Sequence, residues 1–283
     1  MSAAPVRDGP VPGPPWWIPT AFLTAAVLAQ LAGATVLVVV SPELAAGGFY
    51  GPRQLAFVHL YGLAMLTLAV LGALAQLVPV IVRQRLASDV VTIASGAALA
   101  GGAWVMVAGL WQGLEEGVAL GAVLVAIGGL AMAGQLSVVL ARAARCRSLG
   151  DAGVGIALAV GWLVVVIVLG MLLVVERRTA VIGVDRTSAL GAHAAVAVGG
   201  WIGGAVVAVG LRLSPMFALA HGHLVWPGRA SLALWHPGVA LLAIGLLTSG
   251  RELVVAGAVL GLGGALCFGA FLLGVGRCRH RAV

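Results

Sequence analysis

Eight stretches of this chain are each apolar over about the 20 residues that a helix needs to cross the hydrocarbon of a bilayer. They span 17–40, 55–82, 90–111, 118–141, 152–175, 190–213, 231–248 and 252–275, the seventh being the shortest. Segments this long and this free of charge do not belong in a soluble core. Apolar types make up 61% of the 283 residues and charged types 9%, against about 45–50% and about 25% in a soluble domain. The expected fold is therefore an all-α polytopic membrane protein with eight transmembrane helices. Hydrolase or kinase chemistry of the soluble kind is excluded, and no phosphate-binding loop, nucleophile elbow or HExxH motif is present.

Charge sets the expected orientation. All 16 basic residues are Arg. All but Arg212 lie in the tails and short connections, where arginine acts as a topology signal, so the net charge of +7 does not speak for nucleic acid as a partner. With the N-terminus inside, the inner segments hold Arg7, Arg83, Arg85, Arg142, Arg145, Arg147, Arg212, Arg229, Arg277, Arg279 and Arg281. The outer segments hold Arg53, Arg177, Arg178, Arg186 and Arg251. That distribution predicts both termini cytoplasmic. The polar, Pro-rich residues 1–16 read as a short tail ahead of a retained helix rather than a cleaved signal.

An internal repeat is expected at an offset of 136 residues. Gly121-Ala-Val-Leu124 recurs at 257–260, Glu116 falls on Glu252, Pro79 on Pro215, and Gly109-Leu110 on Gly245-Leu246. Arg145-Cys146-Arg147 recurs at 277–279, four residues short of that register. The expected division is a tail over 1–16, a first four-helix repeat over 17–147, a second over 148–275, and a tail over 276–283. Four helices per unit give both units one orientation, about an axis along the membrane normal, with sites between the halves.

Ionisable groups inside spans are costly and mark function by default. His59 enters the second span and His193 the sixth, its repeat partner, so each half presents one imidazole toward the outer side. Two imidazoles can hold a haem from opposite faces; equally, each can sit at an interface and bond to water. His221, His223 and His236 form a second group expected on the inner side, suited either to a metal such as copper, with Met216 nearby, or to a polar loop. Glu116 and Glu252 open the fourth and eighth spans, where the helix dipole favours a carboxylate. Beside the two outer histidines they would also suit a proton or cation path. Arg212, near the inner end of the sixth span, can snorkel to the interface or pair with a propionate or phosphate. The three cysteines, Cys146, Cys267 and Cys278, form no disulfide framework and no haem-attachment motif. Glycine-rich helix faces admit a homodimer contact or packing between the halves.

From His193 the chain reads His-Ala-Ala-Val-Ala-Val-Gly-Gly-Trp-Ile-Gly-Gly, and then Leu213-Ser-Pro-Met-Phe217 leading to His221. This resembles a pattern in bacterial membrane proteins similar to the haem–copper oxidase catalytic subunit, including the nitric-oxide-response membrane proteins. There a His-x-His opens a helix, Gly-Trp follows, and Leu-x-Pro-Met-Phe closes it. His193 matches the first histidine, Gly200-Trp201 the Gly-Trp, and 213–217 the closing motif, while Ala195 stands at the second histidine. In the second span His59 matches the second position of the pair and Phe57 stands at the first. The resemblance covers about 60 residues and implies haem or copper held by histidine near the outer face of a bacterial cytoplasmic membrane. Eight spans carry too few histidines for a binuclear oxygen-reducing centre. Haem A synthases place histidine on four helices, and here the fourth and eighth spans have none.

The expected function is thus an integral membrane protein with one b-type haem on His59 and His193. It would serve electron transfer, redox or haem sensing, or assembly of a respiratory oxidase. A transporter or handler of copper or another metal ion is the first alternative. A bare membrane anchor for an oxidoreductase complex is the second.

Overall fold

In the computed structural model, which describes residues 13–180, 183 and 185–279, every regular element is a helix. Arg7 and Arg281, counted above as inner charges, lie outside the described residues, as do most of the first tail and the last four residues of the second. The helices are α1 (Trp17–Ala45), α2 (Pro52–Val82), α3 (Asp89–Gln112), α4 (Glu115–Arg145), α5 (Gly150–Thr179), α6 (Arg186–Phe217), α7 (Trp226–Leu247) and α8 (Arg251–Arg277). All eight are long and apolar enough to cross a membrane. Each expected span lies inside one of them, save Thr248 at the end of the seventh.

Local chemistry sets the ends. Pro52 opens α2, where a missing N–H costs nothing. The Ser88 hydroxyl accepts from Val91 N–H at the start of α3, and the Asp185 carboxylate accepts from Ser188 N–H at the start of α6. Gly113, at φ 72°, closes α3. Pro79 and Pro215 lie in the last turns of α2 and α6, which stop at Val82 and Phe217. The seventh span is longer than its apolar run. Helix α7 begins at Trp226 with Pro227 in its first turn and carries Arg229 before the apolar core starts.

Two helices depart from α geometry. In α2 the residues Leu60–Thr67 form a π-helix, and in α6 the residues Val196–Gly203 do the same. Such segments are uncommon and concentrate at functional sites. Their bounds differ by 136 residues at both ends. Other geometry shares that spacing. The left-handed residues Gly47, Arg83 and Gly113 correspond to Gly183, Leu219 and Ser249. Leu114 N–H donates to Gly109 C=O at 2.8 Å, and Gly250 N–H to Gly245 C=O at 2.8 Å.

Helix pairs α3–α4 and α7–α8 pack most closely, and glycine is the reason. A Cβ on Gly128 would meet Ser95 C=O at 2.5 Å and Leu99 N at 2.7 Å. On Gly264 it would meet Trp235 N at 2.9 Å and Ser231 C=O at 3.1 Å, the same three positions shifted by 136. Without side chains there, backbones approach closely enough for dispersion to hold helices together in lipid, where no hydrophobic driving force acts between them. The outward faces are apolar: Leu31 is 62% exposed, Val259 63% and Leu266 65%. An apolar surface of that extent is lipid-facing.

The two central helices meet along their π segments. Trp201, fully buried in α6, donates its indole N–H to Thr67 Oγ1 of α2 at 3.3 Å, and Thr67 in turn donates to Gly62 C=O at 2.7 Å. At one end of the bundle Arg177 forms a paired hydrogen bond with the Glu115 carboxylate (2.6–2.9 Å), tying α5 to α4.

Candidate functional site

His59 and His193 each stand as the eighth residue of their helix, on the turn that leads into the π segment. The fold brings them together. Their ring centres are 6.4 Å apart and their planes differ by 26°. Both side chains are half-buried. Two stacked rings in face contact would lie about 3.5–4 Å apart, so this is a separated pair.

Hydrogen bonding defines one of the two rings. His59 Nδ1 lies 2.7 Å from Leu55 C=O, four residues earlier in its own helix. A carbonyl only accepts, so Nδ1 carries the proton and Nε2 keeps its lone pair. That is the arrangement of a metal-ligating histidine, whose far nitrogen donates to a fixed acceptor. In His193, Nδ1 is buried and has no partner. Its ring rests against Gly170 of α5, where a Cβ would come within 3.2 Å of Cε1. Met171, next to Gly170, and Val174 pack against the buried apolar cluster that includes Leu60 and Ala64 of the α2 π segment.

The other expected residues are not gathered here. Glu116 and Glu252 sit at the histidine end of the bundle but are exposed, and Glu116 pairs with Arg178 at 3.8 Å. Arg212 is exposed four turns or more beyond His193, near the opposite end of α6. His221, His223 and His236 do not converge. His223 packs edge-on against Phe271, with ring centres 5.6 Å apart. His236 belongs to no loop: α7 starts ten residues before it, and the ring is buried in the bundle. Trp162 N–H donates to its Nδ1 at 3.0 Å, and its Nε2 has no partner. Among the described residues no three His, Cys, Asp or Glu side chains come together as a metal site.

Several residues that shape the centre carry no sequence signal of their own. Leu55 contributes only a carbonyl and Gly170 only the lack of a side chain. Trp162, Trp235 and His236 lie across the glycine face of the α6 π segment, with Trp235 N–H donating to Gly199 C=O at 2.8 Å. The 136-residue spacing matches Trp162, Trp235 and His236 with Ala26, Leu99 and Ala100, so this aromatic layer exists on one side only.

No protein-family model matches the chain, and no curated protein matches it in sequence. What fold and composition define is a class: a multi-pass helical membrane protein.

Proposed function

We propose that this protein lies in the bacterial cytoplasmic membrane and would hold one b-type haem near its outer face, with His59 and His193 as the residues that bind it. The observation that carries the reading is the histidine pair. Ligating imidazole nitrogens sit about 2 Å from their metal and the ring centre lies about 1.1 Å further back, so two rings that share one metal from opposite sides would have centres about 6.2 Å apart. The separation here is 6.4 Å. What supports the reading is this spacing, together with one imidazole oriented by a backbone carbonyl and the other resting against a glycine.

When bound, the haem supplies one-electron chemistry. This chain's residues do the rest. Leu55 C=O fixes the tautomer and angle of His59. Gly170 admits the His193 ring. The Arg177–Glu115 bond and the Arg53 guanidinium, 5.4 Å from the Trp111 ring centre, hold the surrounding helix ends. The role is electron transfer, redox or haem sensing, or assembly of a respiratory oxidase, with respiratory-chain or oxidoreductase subunits as partners.

The reading includes two tandem four-helix halves, with both termini cytoplasmic. Its support is the 136-residue correspondence of the π segments, the left-handed residues and the glycine contacts, together with the arginine distribution. The same pair spacing suits a single two-coordinate copper ion, as a metal handler would need. Transit of a metal also calls for a receiving site, and the separation of His236 from His223 favours haem. The test is haem and metal content of the purified protein. One haem per chain in the wild type and none in the His59→Ala/His193→Ala double variant supports the reading. Stoichiometric copper without haem overturns it in favour of metal handling.

A further inference from the structure

We infer that the two histidines are unequal ligands and that His193 is the one a small neutral diatomic gas displaces, which makes the site gas-responsive; this rests on the haem reading above. The inequality is in the second nitrogen of each ring. His59 Nδ1 donates to Leu55 C=O at 2.7 Å, a contact local to one helical turn. That bond holds the ring in place and raises the basicity of Nε2. His193 Nδ1 is buried with no acceptor. With Nε2 as its ligating atom, this ring is neither oriented nor made more basic by a hydrogen bond. Only packing holds it, and on the α5 side that packing is against a glycine.

Displacement exchanges one bond for another. With haem held by the two histidines, His193 would give up its place to the incoming molecule, ligand for ligand, and no electron or proton would move. His193 stays neutral throughout, so no charge is created in the membrane interior. Gly170 leaves space beside the ring for it to turn aside. The neighbouring Met171, Val174, Leu60 and Ala64 carry no charge that would attract an anion. A neutral gas crosses such a wall at far lower cost than a charged ligand.

The test uses carbon monoxide as the probe on dithionite-reduced protein purified with its haem. The wild type is expected to give a carbon monoxide difference spectrum. His193→Ala is expected to keep its haem and to bind the gas about tenfold or more tightly, whereas His59→Ala loses most of its haem, in line with the effect of removing oriented ligands. A second pair addresses the missing acceptor. A Cβ at position 170 lies 3.8 Å from His193 Nδ1, so Gly170→Ser brings a hydroxyl to it and is expected to weaken gas binding several-fold against Gly170→Ala. A haem-loaded wild type with no carbon monoxide spectrum overturns the inference and leaves the haem reading standing. Equal haem loss in the two histidine variants also overturns it. A wild type without haem overturns both.

Discussion

A single backbone carbonyl makes two otherwise similar histidines unlike in their hydrogen bonding, and single groups have equally local effects elsewhere. Asp185 caps α6. The Ser188 backbone N–H is the main reason its carboxyl is held below the ordinary range, with further bonds from the Ser188 side chain and Thr187 N–H. A depressed carboxyl pKa means that the capping contribution is present above the unfolded-state value and is lost as pH falls through the folded one. Amide protection at the start of α6, taken relative to intrinsic exchange, is therefore expected to fall below about pH 4, and Asp185→Asn, which caps without titrating, is expected to abolish that loss. Unchanged protection across that range in the wild type would contradict the cap. At this scale the sequence was informative about His59 and His193, because an imidazole inside an apolar span is rare. It misled about His236. Pro227 and Arg229 look like loop residues, yet both fit the first turn of a helix, so the histidine ten residues into α7 reads as if it lay near a loop.

The π segments are the distinguishing elements. No residue spacing predicts them, since Leu60–Thr67 and Val196–Gly203 are compositionally ordinary membrane sequence. Each residue of an α-helix turns the chain by about 100°. Deleting Gly62, whose Cα faces open space, is expected to relax the α2 segment toward α geometry and swing His59 off its partner. Haem content measured on that variant should fall to near zero while the protein still inserts in the membrane. Glycines in the helix pairs were legible only as composition, and the structure sorts them. Gly128→Ala and Gly238→Ala place a Cβ 2.5 and 2.6 Å from backbone atoms, and such overpacking costs about 1–3 kcal/mol. Gly134→Ala and Gly274→Ala meet nothing within 4 Å. Thermal melts in detergent should show lower midpoints for the first two alone.

On the scale of the whole molecule, the eight helices were legible because a bilayer leaves the backbone so few solutions. Apolar length alone located every span, and the helices differ from the expected runs chiefly by polar turns added at their ends. Which helices pair, and how deep the histidines lie against each other, was not legible. Those depend on glycine contacts and on π geometry that only the assembled bundle reveals. The arginine distribution predicts that a reporter fused after Val283 is active as a cytoplasmic fluorescent protein and inactive as an exported phosphatase; the opposite result would invert the bundle and move the histidine end inside. The central claim is that both imidazoles bind one iron. Electron paramagnetic resonance of the oxidised, haem-loaded protein tests it most directly. A low-spin bis-imidazole signal is expected in the wild type, turning high-spin in His193→Ala. A high-spin wild type, or a low-spin signal unchanged in that variant, would contradict it.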